Sequence, residues 1–135
     1  MRILVVVGVL ALACLPLLPV PVAAAPLDGS TPILCAIHSV TECGGRGDCE
    51  RGDPSQEEIP AFVQINLPKK MLSSVDGART SPITSSSRSN GRLMIQGMQN
   101  ERVWGAVLDE ETGRMSATVS EAGGAIVLTG ACLAQ

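Results

Sequence analysis

The chain has 135 residues, and its 10 basic residues stand against 13 acidic ones, giving a net charge of −3. That balance provides no basic stripe for a nucleic-acid backbone. With no Tyr, one Phe and one Trp, the chain also lacks the aromatic platforms on which bases or sugars stack, so its core has to come from Val, Ile, Leu, Met and Ala.

Residues 1–24 read as a secretory signal peptide. Arg2 supplies the positive start, residues 3–18 the apolar run, and Ala23, Ala24 and Ala25 the small-residue end. Cleavage is expected after Ala24, because a cut after Ala25 would set Pro26 beside the scissile bond. Residues 3–15 are too short an uninterrupted run to span a bilayer, and Pro16, Pro19 and Pro21 interrupt the next stretch. Leu10-Ala11-Leu12-Ala13-Cys14 loosely resembles a lipobox, so a lipid anchor at Cys14 is the one membrane attachment on offer. Its early position and the proline-rich stretch after it speak against that use. The expectation is an exported protein, periplasmic or secreted, with a single domain over residues 25–135.

In chain order, residues 33–40 are apolar enough for a strand. The glycine-rich, charged stretch between Cys43 and Cys49 reads as a tight hairpin, and residues 51–60 as a polar, proline-bounded loop. Residues 61–67 alternate, with Val63, Ile65 and Leu67 on one face and Gln64 and Asn66 on the other. Residues 73–89 are rich in Ser and Thr and allow one strand near 81–87. Asn90-Gly91 is a strong hairpin signal and leads into a strand over 92–96. A turn at Gln99, Asn100 and Glu101 leads to a strand over 103–108. The run from Asp109 to Gly113 has the form of a type I turn closed by a glycine bulge. Residues 114–120 place Met115, Ala117 and Val119 on one face, with Arg114, Ser116, Thr118 and Ser120 opposite. Gly123-Gly124 then turns the chain into a last strand over 125–133.

Strands at this regular spacing, with no sustained helical periodicity, predict an all-β antiparallel meander of about seven or eight strands. A small barrel is expected, with a β-sandwich as the alternative.

Four cysteines lie beyond the leader. Three pairings are possible, and sequence alone does not choose among them. The strand reading favours Cys43–Cys49 across the hairpin and Cys35–Cys132 across the closure of the barrel. Zinc is disfavoured because the spacings are not those of ribbons or fingers and His38 is the only histidine. No Cys-x-x-Cys is present for redox catalysis.

His38 would be the base of a hydrolytic triad, but no Gly-x-Ser-x-Gly elbow accompanies it, and a strand histidine at a barrel rim is the plainer reading. Two Arg-Gly-Asp tripeptides, Arg46-Gly47-Asp48 and Arg51-Gly52-Asp53, resemble integrin-binding loops, although these residues are also what a tight solvated turn uses. The acidic run Asp109, Glu110 and Glu111 lacks EF-hand spacing and suits a turn facing water. Glu57 and Glu58 suit solvated surface better than a catalytic pair.

A further pattern joins Leu27-Asp28-Gly29-Ser30, the Cys35, Cys43 and Cys49 cluster, Ser81-Pro82-Ile83 and Asn90-Gly91-Arg92-Leu93-Met94-Ile95-Gln96-Gly97. It continues through Trp104, Asp109-Glu110-Glu111-Thr112-Gly113 and Gly130-Ala131-Cys132. In this the chain resembles small secreted proteobacterial proteins with no assigned function. The resemblance implies an exported β-domain and transfers no catalytic residue. Lipocalins place a Gly-x-Trp near the first strand, and barrel-type lysozyme inhibitors use tyrosine motifs; neither pattern is present.

The expected function is a non-enzymatic, cofactor-free binding or interaction module for an envelope protein or a small apolar ligand. A ligand carrier would show an open interior lined by Met94, Val107 and Met115 or their neighbours. The alternative is an inhibitor or accessory factor of an envelope enzyme. It would act through the loop of Gly44, Gly45, Arg46, Gly47 and Asp48 inside the Cys43–Cys49 ring.

Overall fold

A computed structural model describes residues 24–55 and 59–135. Residues 1–23 of the expected leader, with Cys14, and Glu57 and Glu58 therefore lie outside the described residues. Nine antiparallel strands follow one another: β1 (Ile33–Gly44), β2 (Cys49–Gly52), β3 (Phe62–Asn66), β4 (Met71–Ser74), β5 (Thr80–Ser89), β6 (Arg92–Gln99), β7 (Arg102–Asp109), β8 (Arg114–Glu121) and β9 (Gly124–Ala134). Each pairs with its neighbour from β3 to β9, and β9 returns to β1. The result is a closed eight-strand barrel in which β2 is an extra strand. Strand β1 makes the closure possible because it is long. Its first half pairs with β3, its second half with β2, and its whole length with β9.

Alternation sets the core. Ile33, Cys35 and Val40 of β1, Ile65 of β3, Leu93 of β6 and Leu108 of β7 are almost fully buried inside the barrel, while the intervening residues face outward. A bulge in β1 leaves His38 as the extra residue between Ile37, opposite Gly130, and Ser39, opposite Thr129. It restores the inward phase, so that Val40 points to the core again. A second bulge, at Thr84, shifts the register of β5 against β6, and the residues of β5 beyond it are exposed.

Both expected disulfides form. Cys35 and Cys132 face each other across the β1–β9 seam, with Cα atoms 4.0 Å apart and a sequence separation of 97. Cys43 and Cys49 close the β1–β2 hairpin at a Cα separation of 4.1 Å. Two such bonds are compatible with an oxidising, exported compartment.

One end of the barrel is sealed. Leu27 packs against the core and lies beside Gly113, in the β7–β8 turn. Two residues on, Gly29 is buried and presses against Leu67, in the β3–β4 turn. A Cβ on Gly29 would stand 2.2 Å from Leu67 Cδ1, and its φ of +81° lies in the region that favours glycine. The approach to β1 thus crosses this end from one side to the other, and Gln135 N–H donates to the Pro32 carbonyl beneath it (2.9 Å). The opposite end carries the β1–β2, β4–β5, β6–β7 and β8–β9 turns.

Strand β4 departs from the sequence expectation, which left residues 71–74 without a strand. It is only four residues long and is entered through a turn where the non-glycine Lys70 takes a positive φ of 50°. Neither the length nor the turn carries a usual sequence signal.

Candidate functional site

The end opposite the Leu27 plug opens into a cup of about 550 Å³. Its wall is apolar because the inward positions of six strands are apolar: Ile37 from β1, Ile65 from β3, Ile95 from β6, Trp104 from β7, Met115 from β8 and Leu128 from β9. Of the expected lining, Met115 is present, and Ile95 and Ala106 take the places of their neighbours Met94 and Val107. Met115 faces the cup, whereas Val107 is 40 % exposed on the outer surface and Met94, its cross-strand partner, shares that outward face. Strands β6 and β7 carry apolar residues on both faces, as in Leu93-Met94-Ile95 and Ala106-Val107-Leu108. Hydrophobicity alone therefore does not reveal their phase.

Trp104 is the most constrained side chain of the cup. Gly97 lies directly opposite it on β6, and a Cβ there would meet the indole ring at 2.4 Å and the Pro82 carbonyl at 2.3 Å. The ring thus occupies the space that Gly97 leaves. Its Nε1–H donates to Ser81 Oγ at 2.7 Å. Ser81 and Ser74 are the two buried polar side chains among the described residues, each 6 % exposed, and both line the cup.

The rim is held by short polar contacts. Ser74 Oγ donates to the Asp76 carboxylate and accepts from the Arg79 backbone N–H at 3.0 Å. The Ser74 hydroxyl, followed by the Ala78 backbone N–H, holds the Asp76 carboxyl below its ordinary value of 3.8. Gln99 Nε2 donates to the Thr80 carbonyl at 2.6 Å, linking two turns of the mouth. Arg102 pairs with Glu121 at 2.6 Å on the adjacent strand. Just outside the mouth, exposed apolar side chains stand in pairs: Phe62 beside Val75, and Met98 opposite Val103.

The Cys43–Cys49 hairpin sits at the same end. Gly44, Gly45, Arg46, Gly47 and Asp48 are all exposed. Two backbone hydrogen bonds knit the turn, Gly44 N to Asp48 O (2.9 Å) and Gly47 N to Gly44 O (3.0 Å), with Gly47 at a φ of +87°. The first Arg-Gly-Asp is thus presented at a hairpin tip, while the second runs off the end of β2.

Other sequence candidates are dispersed. His38 is exposed at the β1 bulge, and no cluster of three His, Cys, Asp or Glu side chains suited to a metal occurs among the described residues. Asp109 acts as a turn residue: its carboxylate accepts from Thr112 N (2.8 Å), Thr112 Oγ1 (2.8 Å) and Glu111 N (3.2 Å). Glu110 is gripped by Arg88 through two bonds, at 2.6 and 2.7 Å.

Sequence reasoning missed the Ser81–Trp104–Gly97 arrangement. The signal was indirect: a lone Trp in a strand needs a partner for its N–H and room opposite, and a glycine within a strand provides that room.

No protein family's model matches the chain, and neither a curated protein nor a solved structure does. No helix among the described residues is long and apolar enough to cross a membrane.

Proposed function

We propose that the protein is an exported, non-enzymatic binding module that takes a small apolar molecule into the open end of its barrel. The observation that carries this reading is the cup itself. About 550 Å³ of space sits behind a hydrogen-bonded rim and is lined largely by Ile, Leu, Met and Trp side chains. Ligand pockets typically enclose roughly 300–1,000 Å³ with apolar walls and a few placed polar groups. The two disulfides, the leader-like start and the resemblance to secreted proteins support a periplasmic or secreted location.

Titration with the apolar dye N-phenyl-1-naphthylamine tests this, because Trp104 is the sole Trp and reports on its own surroundings. Saturable quenching of Trp104 emission is expected. Ala117→Phe, which places a ring in the cup, is expected to weaken binding at least tenfold while the far-ultraviolet spectrum stays that of a β-barrel. No saturable binding by the wild type would end the proposal.

The exposed, disulfide-framed turn favours a second reading: an inhibitor or accessory factor inserting Gly44, Gly45, Arg46, Gly47 and Asp48 into an envelope enzyme. Replacing the five by a Gly-Ser linker is then expected to abolish co-purification of that enzyme. Undiminished co-purification would exclude this use of the loop.

A further inference from the structure

The chemistry of the ligand can be narrowed further, on the reading that the cup is a binding site. Its polar features divide by position. The ionisable side chains that line it, Arg79 and Arg102, belong to the mouth: Arg79 lies in the β4–β5 turn and Arg102 is the first residue of β7. No carboxylate, lysine or histidine joins them among the described residues that line the cup. A charged group inserted past the rim would lose its hydration with no counter-charge, a heavy cost in an apolar wall.

Below the rim, Ser81 is different. Its oxygen accepts the Trp104 N–H at 2.7 Å, and its own hydroxyl proton has no acceptor among the hydrogen bonds of the described residues. A serine hydroxyl carries one donor and two acceptor positions, so the donor remains available. Ser81 is 94 % buried and lines the cup beside the indole. Gly97 leaves room for the ring, and the ring's N–H occupies one of the two acceptor positions of Ser81, which leaves the O–H as its unpaired donor. A donor held in this way is preorganised.

We infer that the ligand is a mainly apolar molecule whose inserted end is uncharged and carries one hydrogen-bond acceptor, such as a ketone, ester or ether oxygen, received by the Ser81 hydroxyl beside Trp104. A hydrocarbon of the same shape leaves that buried donor unmatched. Sites built around a polar contact discriminate against analogues that lack it.

The test compares three compounds of one skeleton: indane, 1-indanone and 2-aminoindane. The readout is the indole N–H signal of Trp104, the only one in a ¹⁵N-labelled sample. 1-Indanone is expected to shift it saturably and to bind about three- to tenfold more tightly than indane, as one net hydrogen bond allows. 2-Aminoindane, cationic at neutral pH, is expected to bind more weakly than either. Ser81→Ala is expected to bring indanone and indane to the same affinity, while Ser81→Thr keeps the preference. Should Ser81→Ala unfold, the three compounds on the wild type decide alone. Equal affinity of indane and indanone, tighter binding of the amine, or no binding by any of the three overturns the inference. The dye titration then shows separately whether the cup binds apolar molecules at all.

Discussion

At Gly97 a single hydrogen decides where the largest side chain of the barrel lies. The Trp104 ring fills the space opposite, and its N–H finds Ser81. A methyl group at position 97 would meet both backbone and ring, and the carbonyl of Pro82 cannot swing aside. Gly97→Ala is therefore expected to cost about 1–3 kcal/mol, the usual range for overpacking. It should also shift the Trp104 emission maximum, because the ring has to leave its position. Denaturation and fluorescence of the variant check this; unchanged emission would mean that the ring is not held as described.

The acidic turn residues make a second claim at this scale. Backbone and hydroxyl bonds from Thr112 depress the Asp109 carboxyl below its ordinary 3.8, and the Arg88 fork depresses Glu110 below 4.5. A carboxyl with a depressed folded-state pKa contributes stability that is present above its unfolded value and lost as the pH falls through the folded one. The stability difference between wild type and Asp109→Asn should therefore be largest near neutral pH and shrink below about pH 4. Denaturation midpoints measured across that range would show it, and a pH-independent difference would contradict it. Both carboxylates are half-buried in a surface turn, where solvent still screens them, so their contribution is small.

Among the elements, turns decide how the meander folds back. Asn90-Gly91 has φ values of 51° and 71°, the pair a two-residue hairpin prefers. Asn100-Glu101 has the same form, 50° and 64°, but with glutamate where glycine fits best. Glu101→Gly is expected to stabilise by about 0.5–1 kcal/mol, left-handed strain being larger than glycine's entropic penalty. An unchanged or lower denaturation midpoint would show that Glu101 is held by something more than the turn.

Strands bounded by such turns were legible in the residues themselves. The last four each lie within about three residues of their expected ends, because Asn90-Gly91, the Asp109 to Gly113 turn and Gly123-Gly124 mark their limits. Strand β4 was not legible, being short and entered through Lys70 without glycine. The pairings of Cys35 with Cys132 and of Cys43 with Cys49 followed once first and last strands had to meet. The wall of the cup was only half legible. Met115, Ala117 and Val119 alternate cleanly with polar residues, whereas Met94 and Val107 lie in strands that are apolar on both faces. Only three-dimensional pairing sets the phase of such strands.

For the whole molecule, closure rests on the β1–β9 seam, which joins the two sequence-distant ends of the barrel. The Cys35–Cys132 bond crosses that seam and closes a loop of 97 residues. Loop-closure entropy assigns it about 4–5 kcal/mol, against about 2 kcal/mol for the short Cys43–Cys49 ring. Replacing the first pair with alanine should therefore lower the denaturation midpoint much more than replacing the second. The reverse order would contradict the seam as the principal constraint.

A barrel sealed by Leu27 and Gly29 at one end and open beside Trp104 at the other has an inside and an outside that ligands can tell apart. Methionine methyls mark both, since Met115 lines the cup and Met98 stands exposed on the outer wall. The most direct test of the central claim is a methyl-¹³C methionine spectrum recorded during titration with N-phenyl-1-naphthylamine. Binding in the cup should move the Met115 signal saturably and leave Met98 in place. Movement of Met98 without Met115, or of neither, would contradict the account.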